Sequence, residues 1–187
     1  MQNRVRFSEV TKAYLCRYYE ILDEMVQGMT QARLTESISG SFIVQMIPHH
    51  RAAIEMSRNL LQYTTCVPLQ DIAANIISYQ TKSIEALQRV DPQCALVQNQ
   101  PQDVCLYQRK LQSILGTMFH EMREAPADNR LNADFIREMI PHHEGAVRMS
   151  ENALRYPICP ELVPILQAII TSQKAGIRKM ECLLKRM

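Results

Sequence analysis

Several features are scarce in this chain of 187 residues, and each absence excludes a class of protein. Trp is missing, and the five Gly form neither of the glycine-rich spacings that cradle phosphate groups, which excludes the common nucleotide-binding loops. No apolar run approaches the roughly 18 residues that predict a membrane span. Charge of one sign is also lacking, because 21 basic and 19 acidic side chains leave a net charge of +2. Electrostatics therefore gives no reason to expect nucleic acid or an anionic membrane as a partner.

A repeat of 93 residues organises what is present. The segment FIVQMIPHHRAAIEMSRNLLQY begins at Phe42, the segment FIREMIPHHEGAVRMSENALRY begins at Phe135, and 13 of their 22 paired positions are identical. The same offset pairs residues on both sides of these segments without a gap. The chain is therefore interpreted as a tandem duplication, with units at 1–93 and 94–187 that can pack as one domain.

Each unit is predicted to contain three helices, because its apolar residues recur with a helical period and no segment alternates like a strand. In the first unit the helices lie around 14–29, around 39–63, and after Cys66 and Pro68. In the second unit, Cys159 and Pro160 are expected to open the third helix. The predicted fold is an all-α bundle. The candidate N-caps of the two middle helices are Ser39 or Ser41 in the first unit and Asn132 or Asp134 in the second.

The residues that both units retain are rich in imidazole and thioether. Four of the five His and eight of the 11 Met fall in matched pairs, whereas none of the 19 acidic residues lies opposite another acid. At about 100° per residue, the candidate ligands of the first middle helix span an arc of about 120°. The matched residues are Met46, His49, His50 and Met56 with Met139, His142, His143 and Met149, and, on the first helix of each unit, Met25 and Met29 with Met118 and Met122.

A proline precedes each pair of histidines, Pro48 in the first unit and Pro141 in the second. Inside a helix, proline removes a hydrogen bond and crowds the carbonyl four residues back, at a cost of about 3 kcal/mol or more. The alternative is that a helix begins at the proline. The apolar run 42–47 favours a helix that continues through Pro48 with a kink.

Thioethers combined with imidazoles match copper(I), and silver(I) as its mimic, better than harder ions. Magnesium and calcium prefer oxygen ligands, and structural zinc sites use Cys and His rather than Met. Di-iron sites in helical bundles need Glu ligands together with His. A duplicated di-iron site is excluded because Glu144, beside His143, has Arg51 as its counterpart in the first unit. Met on an apolar helix face also serves simply as core packing, and this interpretation stays open for the first-helix Met.

The motif M-I-P-H-H-x-x-A-[IV]-x-M, followed by a helix with Gln and Ile at matched places, resembles a bacterial family of domains of unknown function with a ferritin-like helical fold. This family includes CopM-like periplasmic copper-binding proteins. The resemblance implies a periplasmic or secreted protein that sequesters copper or hands it to an efflux or sensor protein, without catalysis. It implies the matched Met and His of the two motifs as ligands, and less specifically the first-helix Met. Leu87 stands where the second unit has Met180, so an additional site there is not expected in the first unit.

Two other functions stay open on the residues alone. A copper-dependent oxidoreductase, such as a Cu(I) oxidase, would use the same ligands and leave coordination positions open to oxygen. A structural helical interaction module would use the Met only for packing and bind no metal. Location is open as well, because the start MQNRVRFSEV has no apolar segment typical of a secretory leader, so the protein is either cytosolic or exported with its leader removed.

The six Cys contain no C-x-x-C pair, which argues against a zinc knuckle or a thioredoxin-like motif. An even number permits disulfides, which persist in oxidising compartments. In an up-and-down three-helix unit, the start of the first helix lies near the connection between the second and third. This arrangement predicts that two cysteines lie close together within each unit. The six Cys still permit 15 different pairings. The expected neighbours are Cys16 with Cys66 and Cys105 with Cys159, which leaves Cys94 and Cys182 at the other ends.

Overall fold

The computed structural model describes residues 6–187 and contains six α-helices joined by short connections. There is no strand in this part of the chain, so the predicted all-α fold is confirmed. In chain order the helices are α1 (Glu9–Thr30), α2 (Ile38–Leu61), α3 (Val67–Cys94), α4 (Pro101–Arg123), α5 (Leu131–Ala153) and α6 (Leu162–Leu184).

Helices α2 and α5 form the centre of the bundle. Helix α2 packs against α1, α3 and α5, and α5 packs in the same way against α4, α6 and α2. Helices α3 and α6 also pack against each other. Most of the buried apolar side chains of both units belong to one continuous core. The two P-H-H segments therefore lie on neighbouring helices in the middle of the molecule.

The N-caps of the two middle helices differ from the predicted ones. Helix α2 is capped by Ser37, whose hydroxyl accepts a hydrogen bond from the backbone N–H of Gly40, and α5 begins after Arg130. The predicted cap Ser39 lies inside α2, where its hydroxyl accepts instead from the backbone N–H of Cys159. The predictions were wrong because these polar side chains are engaged elsewhere. In the same way, the hydroxyl of Ser41 and the carboxylate of Asp134 bond backbone N–H groups of preceding loops, and Asn132 lies within the first turn of α5.

The predictions made for the prolines inside α2 and before α6 have different outcomes. Helix α2 continues through Pro48 and α5 continues through Pro141, as the apolar run before Pro48 indicated. Helix α1 passes close to this point, because a Cβ added at Gly28 would lie 3.0 Å from the Cβ of Pro48. By contrast, Pro160 does not open α6, which begins at Leu162.

Polar contacts join the two units through the buried core. The hydroxyl of Tyr14 donates to the carboxyl group of Glu138 at 2.6 Å, and the hydroxyl of Tyr18 donates to the backbone carbonyl of Met122 at 2.9 Å. Burial is the largest cause that raises the pKa of Glu138, to about 8, so this carboxyl group is protonated at neutral pH. The matched position in the first unit holds Gln45, an uncharged side chain of the same shape.

The cysteine pairing differs from the prediction. Cys94, at the end of α3, forms a disulfide with Cys159, in the loop before α6, with a Cα–Cα distance of 5.1 Å. The thiols of Cys16, Cys66, Cys105 and Cys182 are free. The prediction considered neighbours only within one unit. It was wrong because the end of α3 lies beside a loop of the other unit, so the bond connects the two units.

No helix in residues 6–187 combines the length and the apolar character that crossing a membrane requires. This finding agrees with the sequence, in which no long apolar run occurs.

Candidate metal centre

Two histidines stack on each other where α2 and α5 meet. The ring centroids of His49 and His142 lie 3.7 Å apart, with an interplanar angle of 27°. The ring of the adjacent histidine in the sequence lies farther away. The centroid distance is 5.7 Å between His49 and His50 and 5.9 Å between His142 and His143. The four matched histidines therefore form one cluster that both units share. The sequence predicted the histidines but not their stacking.

The stacked pair is held by two reciprocal contacts to the backbone. The Nε2 atom of His49 lies 3.1 Å from the carbonyl oxygen of His142, and the Nε2 atom of His142 lies 3.1 Å from that of His49. Because a carbonyl oxygen can only accept, both Nε2 atoms carry the proton. The neutral rings consequently present a lone pair at Nδ1. Histidines that bind metals commonly donate their other N–H to a backbone carbonyl in this way.

The outer histidines, His50 and His143, have different surroundings in the two units. The Nε2 atom of His50 lies 3.0 Å from the hydroxyl oxygen of Ser83 on α3. The matched residue on α6 is Gly176, and a Cβ at this position would lie 3.0 Å from Cδ2 and 3.1 Å from Nε2 of His143. Gly176 thus lets the ring of His143 approach the backbone of α6, and no hydroxyl bonds it there.

All four imidazoles are neutral at physiological pH because they are buried. Their side chains are between 0% and 3% exposed. Burial is the largest cause of the lowered pKa in every case, and it brings the pKa to about 3 for His50 and about 4 for His142. The pKa values of His49 and His143 are lowered as well, with the neighbouring imidazoles as a second cause. A neutral imidazole is the form that binds a metal.

The Nδ1 atoms of these histidines lack hydrogen-bond partners. This is true of all four, although each of these atoms is inaccessible to solvent. A buried polar atom without a partner costs about 1–3 kcal/mol, so four of them in one cluster require an explanation. A bound metal ion would directly satisfy the Nδ1 lone pairs of His49 and His142, whose tautomers the carbonyl contacts fix. The donor set at the centre of the bundle therefore fits a metal that accepts nitrogen ligands.

The imidazoles do not form a complete site by themselves. In the described part of the chain, only Cys94, Cys159 and Glu161 form a group of three His, Cys, Asp or Glu side chains with ligand atoms within 4.8 Å of one another. Two of these three are joined in the disulfide. A metal held on α2 and α5 consequently needs ligands of another type, and Met is the type that the sequence places on the adjacent turns.

The eight candidate Met side chains are all in the core and at most 2% exposed. Two of them flank the histidines on each central helix, one turn before and two turns after the pair. A first-helix Met also reaches α5, since the sulfur of Met118 packs directly against Gly145, two residues after His143. Burial of this degree suits both a ligand and a packing residue. The flanking Met are Met46, Met56, Met139 and Met149, and the first-helix Met are Met25, Met29, Met118 and Met122.

Two further matched pairs were not assigned a role from the sequence. The side-chain amide of Asn59 donates to the carbonyl of Tyr14 at 3.1 Å, and Asn152 donates to the carbonyl of Tyr107 at 3.2 Å, so each fixes α1 or α4 on its central helix. Gln80 and Gln173 line the groove above the outer histidines. These two asparagines and two glutamines are identical at the offset of 93 residues, as the candidate ligands are. Identity between the units alone therefore does not distinguish a metal ligand from a residue with another role.

The comparisons with known proteins agree with this fold. The chain is similar to a structure described as a DUF305 fragment from Deinococcus radiodurans, with 21% identity, a TM-score of 0.59, and coverage of 80% of this chain and 97% of the other. It is also similar to a structure described as CopM in the Cu(II)-bound form, with 27% identity, a TM-score of 0.58, and coverage of 79% and 96%. No curated protein is similar enough in sequence to count as a match.

The predicted fold class, an all-α ferritin-like bundle of six helices, is thus confirmed. The sequence pattern described as Domain of unknown function (DUF305) matches residues 20–91 and again residues 109–184, once in each unit. These two matches span well over half of the sequence. The chain belongs to the DUF305 family.

Proposed function

We propose that this protein binds copper through the histidine cluster and the Met that flank it, and that it sequesters the metal or hands it over rather than catalysing a reaction. The observation that carries the proposal is the set of four buried Nδ1 atoms without partners. The likeness to CopM, a copper-bound structure at 27% identity, supports copper over other metals.

The ligands proposed on each central helix are two imidazoles and two thioethers. This donor set is soft, and it favours Cu(I) and its mimic Ag(I) over ions that prefer oxygen. In the first unit the ligands are Met46, His49, His50 and Met56, and in the second they are Met139, His142, His143 and Met149. The first-helix Met extend the sulfur supply around the same cluster, with Met118 already in contact with α5. They are Met25, Met29, Met118 and Met122.

The chain's own residues would prepare the site before the metal arrives. The carbonyl groups of His49 and His142 orient the opposite ring, so that both Nδ1 lone pairs have fixed positions. Burial keeps the rings neutral, which means that no proton has to leave before a metal binds. Copper supplies the strong bonds to nitrogen and sulfur when it is bound. Thioethers are weakly held ligands, which favours transfer to a copper efflux or sensor protein.

A periplasmic or exported location forms part of the proposal. The disulfide between Cys94 and Cys159 supports it, because disulfides persist mainly in oxidising compartments. By binding free copper in that compartment, the protein would support copper resistance.

The test is an anaerobic titration of Cu(I) against a chromophoric chelator, repeated with Ag(I) and, in air, with Cu(II). Wild-type protein should take Cu(I) from the chelator. The double variant Met46→Leu and Met139→Leu should compete about tenfold less well or worse, because it loses one thioether beside each histidine pair. Leu and Met differ little in volume, so circular dichroism should change little.

Met187→Leu is the control for the exchange itself, since Met187 is 40% exposed and lies after the end of α6. It should compete like the wild type. Equal competition by the double variant and the wild type would reject these Met as ligands. No uptake of copper by the wild type would reject the proposed function, and sustained oxygen consumption with Cu(I) would favour an oxidase.

A further inference from the structure

Two sulfur atoms and a carboxylate lie together where the end of α3 meets the start of α6. The Sγ atoms of Cys94 and Cys159 and a carboxylate oxygen of Glu161 all lie within 4.8 Å of one another. The Sγ atom of Cys159 is 3.0 Å from Oε2 of Glu161. Cys94 is 0% exposed and Cys159 is 2% exposed, whereas Glu161 is an exposed residue. The group therefore has a buried sulfur side and a side that is open to solvent.

The backbone at each end of the disulfide is held by a hydrogen bond that does not involve sulfur. The hydroxyl of Ser37 donates to the carbonyl of Cys94 at 2.9 Å. The hydroxyl of Ser39 accepts from the backbone N–H of Cys159, also at 2.9 Å. Both segments are thus attached to the start of α2. If the S–S bond were broken, these hydrogen bonds would keep the two thiols close together.

Reduction would turn the two cysteines into metal ligands. A dithiol reductant breaks the S–S bond by supplying two electrons and two protons, and it is itself oxidised to a disulfide. A metal ion that then binds both sulfurs displaces the two protons, because the thiolate is the form that binds. Thiolate is a soft ligand and carboxylate is a hard one, so a borderline ion fits this mixed set. Zn²⁺ is such an ion, and it accepts three protein ligands with water as the fourth.

We propose that Cys94, Cys159 and Glu161 form a zinc site that is available only while the disulfide is reduced. The exposed side of the group gives water access to the fourth coordination position. Bound Zn²⁺ would connect the two units in the reduced protein, as the disulfide does in the oxidised protein. The site is separate from the proposed copper ligands, since Ser39 precedes His49 by ten residues, about 15 Å along α2.

The first test uses a background variant of the full chain that keeps only the two cysteines of the site, because every other thiol would also bind metal after reduction. The protein is reduced without air, and the dithiol is then removed. Co²⁺ is the probe, because thiolate ligands give it a charge-transfer absorption in the near ultraviolet. The reduced protein should bind one equivalent of Co²⁺ with this absorption, and Zn²⁺ should displace it. The residues changed to Ser in the background variant are Cys16, Cys66, Cys105 and Cys182.

Two comparisons separate the three-ligand site from simple binding by sulfur. The oxidised background variant should show no thiolate absorption, because both sulfurs are in the disulfide. Glu161→Gln in the reduced background variant should bind Zn²⁺ about tenfold more weakly or worse, as measured against a chromophoric chelator. Glu181→Gln changes another exposed glutamate, on α6, and should bind Zn²⁺ like the background variant.

The second test uses the chain with its natural cysteines and measures stability instead of absorption. Added Zn²⁺ should raise the urea midpoint of the reduced wild type, because an ion that binds the folded form stabilises it. The reduced variant Cys94→Ser keeps the four other thiols and should show a smaller rise.

Three results would overturn the proposal. The first is no thiolate absorption in the reduced background variant, and the second is equal affinity of Glu161→Gln and the background variant for Zn²⁺. The third is an equal rise of the urea midpoint in wild type and Cys94→Ser. None of these measurements involves copper, so their outcome is independent of the proposed copper binding.

Discussion

The two three-helix units, α1–α3 and α4–α6, place matched residues in matched positions, yet they differ at several positions, three of which bear on stability and on the surroundings of the histidines. Both units keep the histidine pair, the flanking Met and the asparagine that fixes the outer helix. They differ where Ser83 corresponds to Gly176, where Gln45 corresponds to Glu138, and where the free Cys66 corresponds to the disulfide-bonded Cys159. The shared residues surround one central cluster. The differences therefore concern stability and access, and each can be removed by substitution.

The disulfide should give the largest effect. Replacing both partners, Cys94→Ser with Cys159→Ser, removes a cross-link between residues 65 positions apart. The free energy of unfolding should fall by about 4 kcal/mol, because the unfolded chain regains the freedom that the closed loop had removed. Urea denaturation without reductant measures this change. Cys105→Ser alters a free, exposed cysteine within α4 and should change stability by less than about 0.5 kcal/mol. Equal effects of the two changes would mean that the bond does not hold the units together.

The buried carboxyl group of Glu138 should give the next largest effect. Its pKa is raised by burial from 4.5 to about 8, so the folded state binds a proton that the unfolded chain releases at lower pH. The stability that this proton contributes is complete below about pH 4.5 and is lost as the pH rises towards 8. Glu138→Gln cannot ionise and still accepts the hydrogen bond from Tyr14. Between pH 5 and pH 9, the metal-free variant should lose about 3 kcal/mol less stability than the wild type.

The measurement is urea denaturation at a series of pH values, with a reciprocal control in the first unit. Gln45→Glu places a carboxyl group at the matched position and should add a second loss of stability as the pH rises. Parallel pH curves for wild type and Glu138→Gln would contradict the prediction. Such curves would show that Glu138 is already ionised in the folded protein near pH 5.

The number and order of the helices could be predicted from the sequence, because apolar residues recur at helical spacing in all six segments. The continuation of α2 through Pro48 was predictable too, since the residues before it are apolar and helix-compatible. The caps were not, because a loop offers several side chains that can bond a free N–H. Ser37 is used, while Ser39 is needed by the backbone of Cys159. The disulfide was not predictable either, because it depends on how the two units pack.

The candidate site could be predicted only as a set of residues. Matching at the offset of 93 positions selects His49 and His142, but it does not reveal that the two copies face each other. Their stacking at 3.7 Å, and the reciprocal bonds that leave Nδ1 free, arise from the contact between α2 and α5. The same limit applies to Gln80 and Gln173, whose unpaired oxygens become visible only when the groove between α3 and α6 is known.

The hydrogen bond from the first unit's outer histidine should give the smallest effect. Ser83→Ala removes the hydroxyl that lies 3.0 Å from Nε2 of His50, so both outer histidines then lack this partner. Stability should fall by about 1 kcal/mol relative to Ser78→Ala, an exposed change on the same helix that has the same effect on helix propensity. Thermal unfolding of the metal-free variants gives the difference. No difference would mean that His50 finds another partner. A fall of this size would show that the hydroxyl of Ser83 fixes the ring of His50, a contact that Gly176 cannot offer to His143.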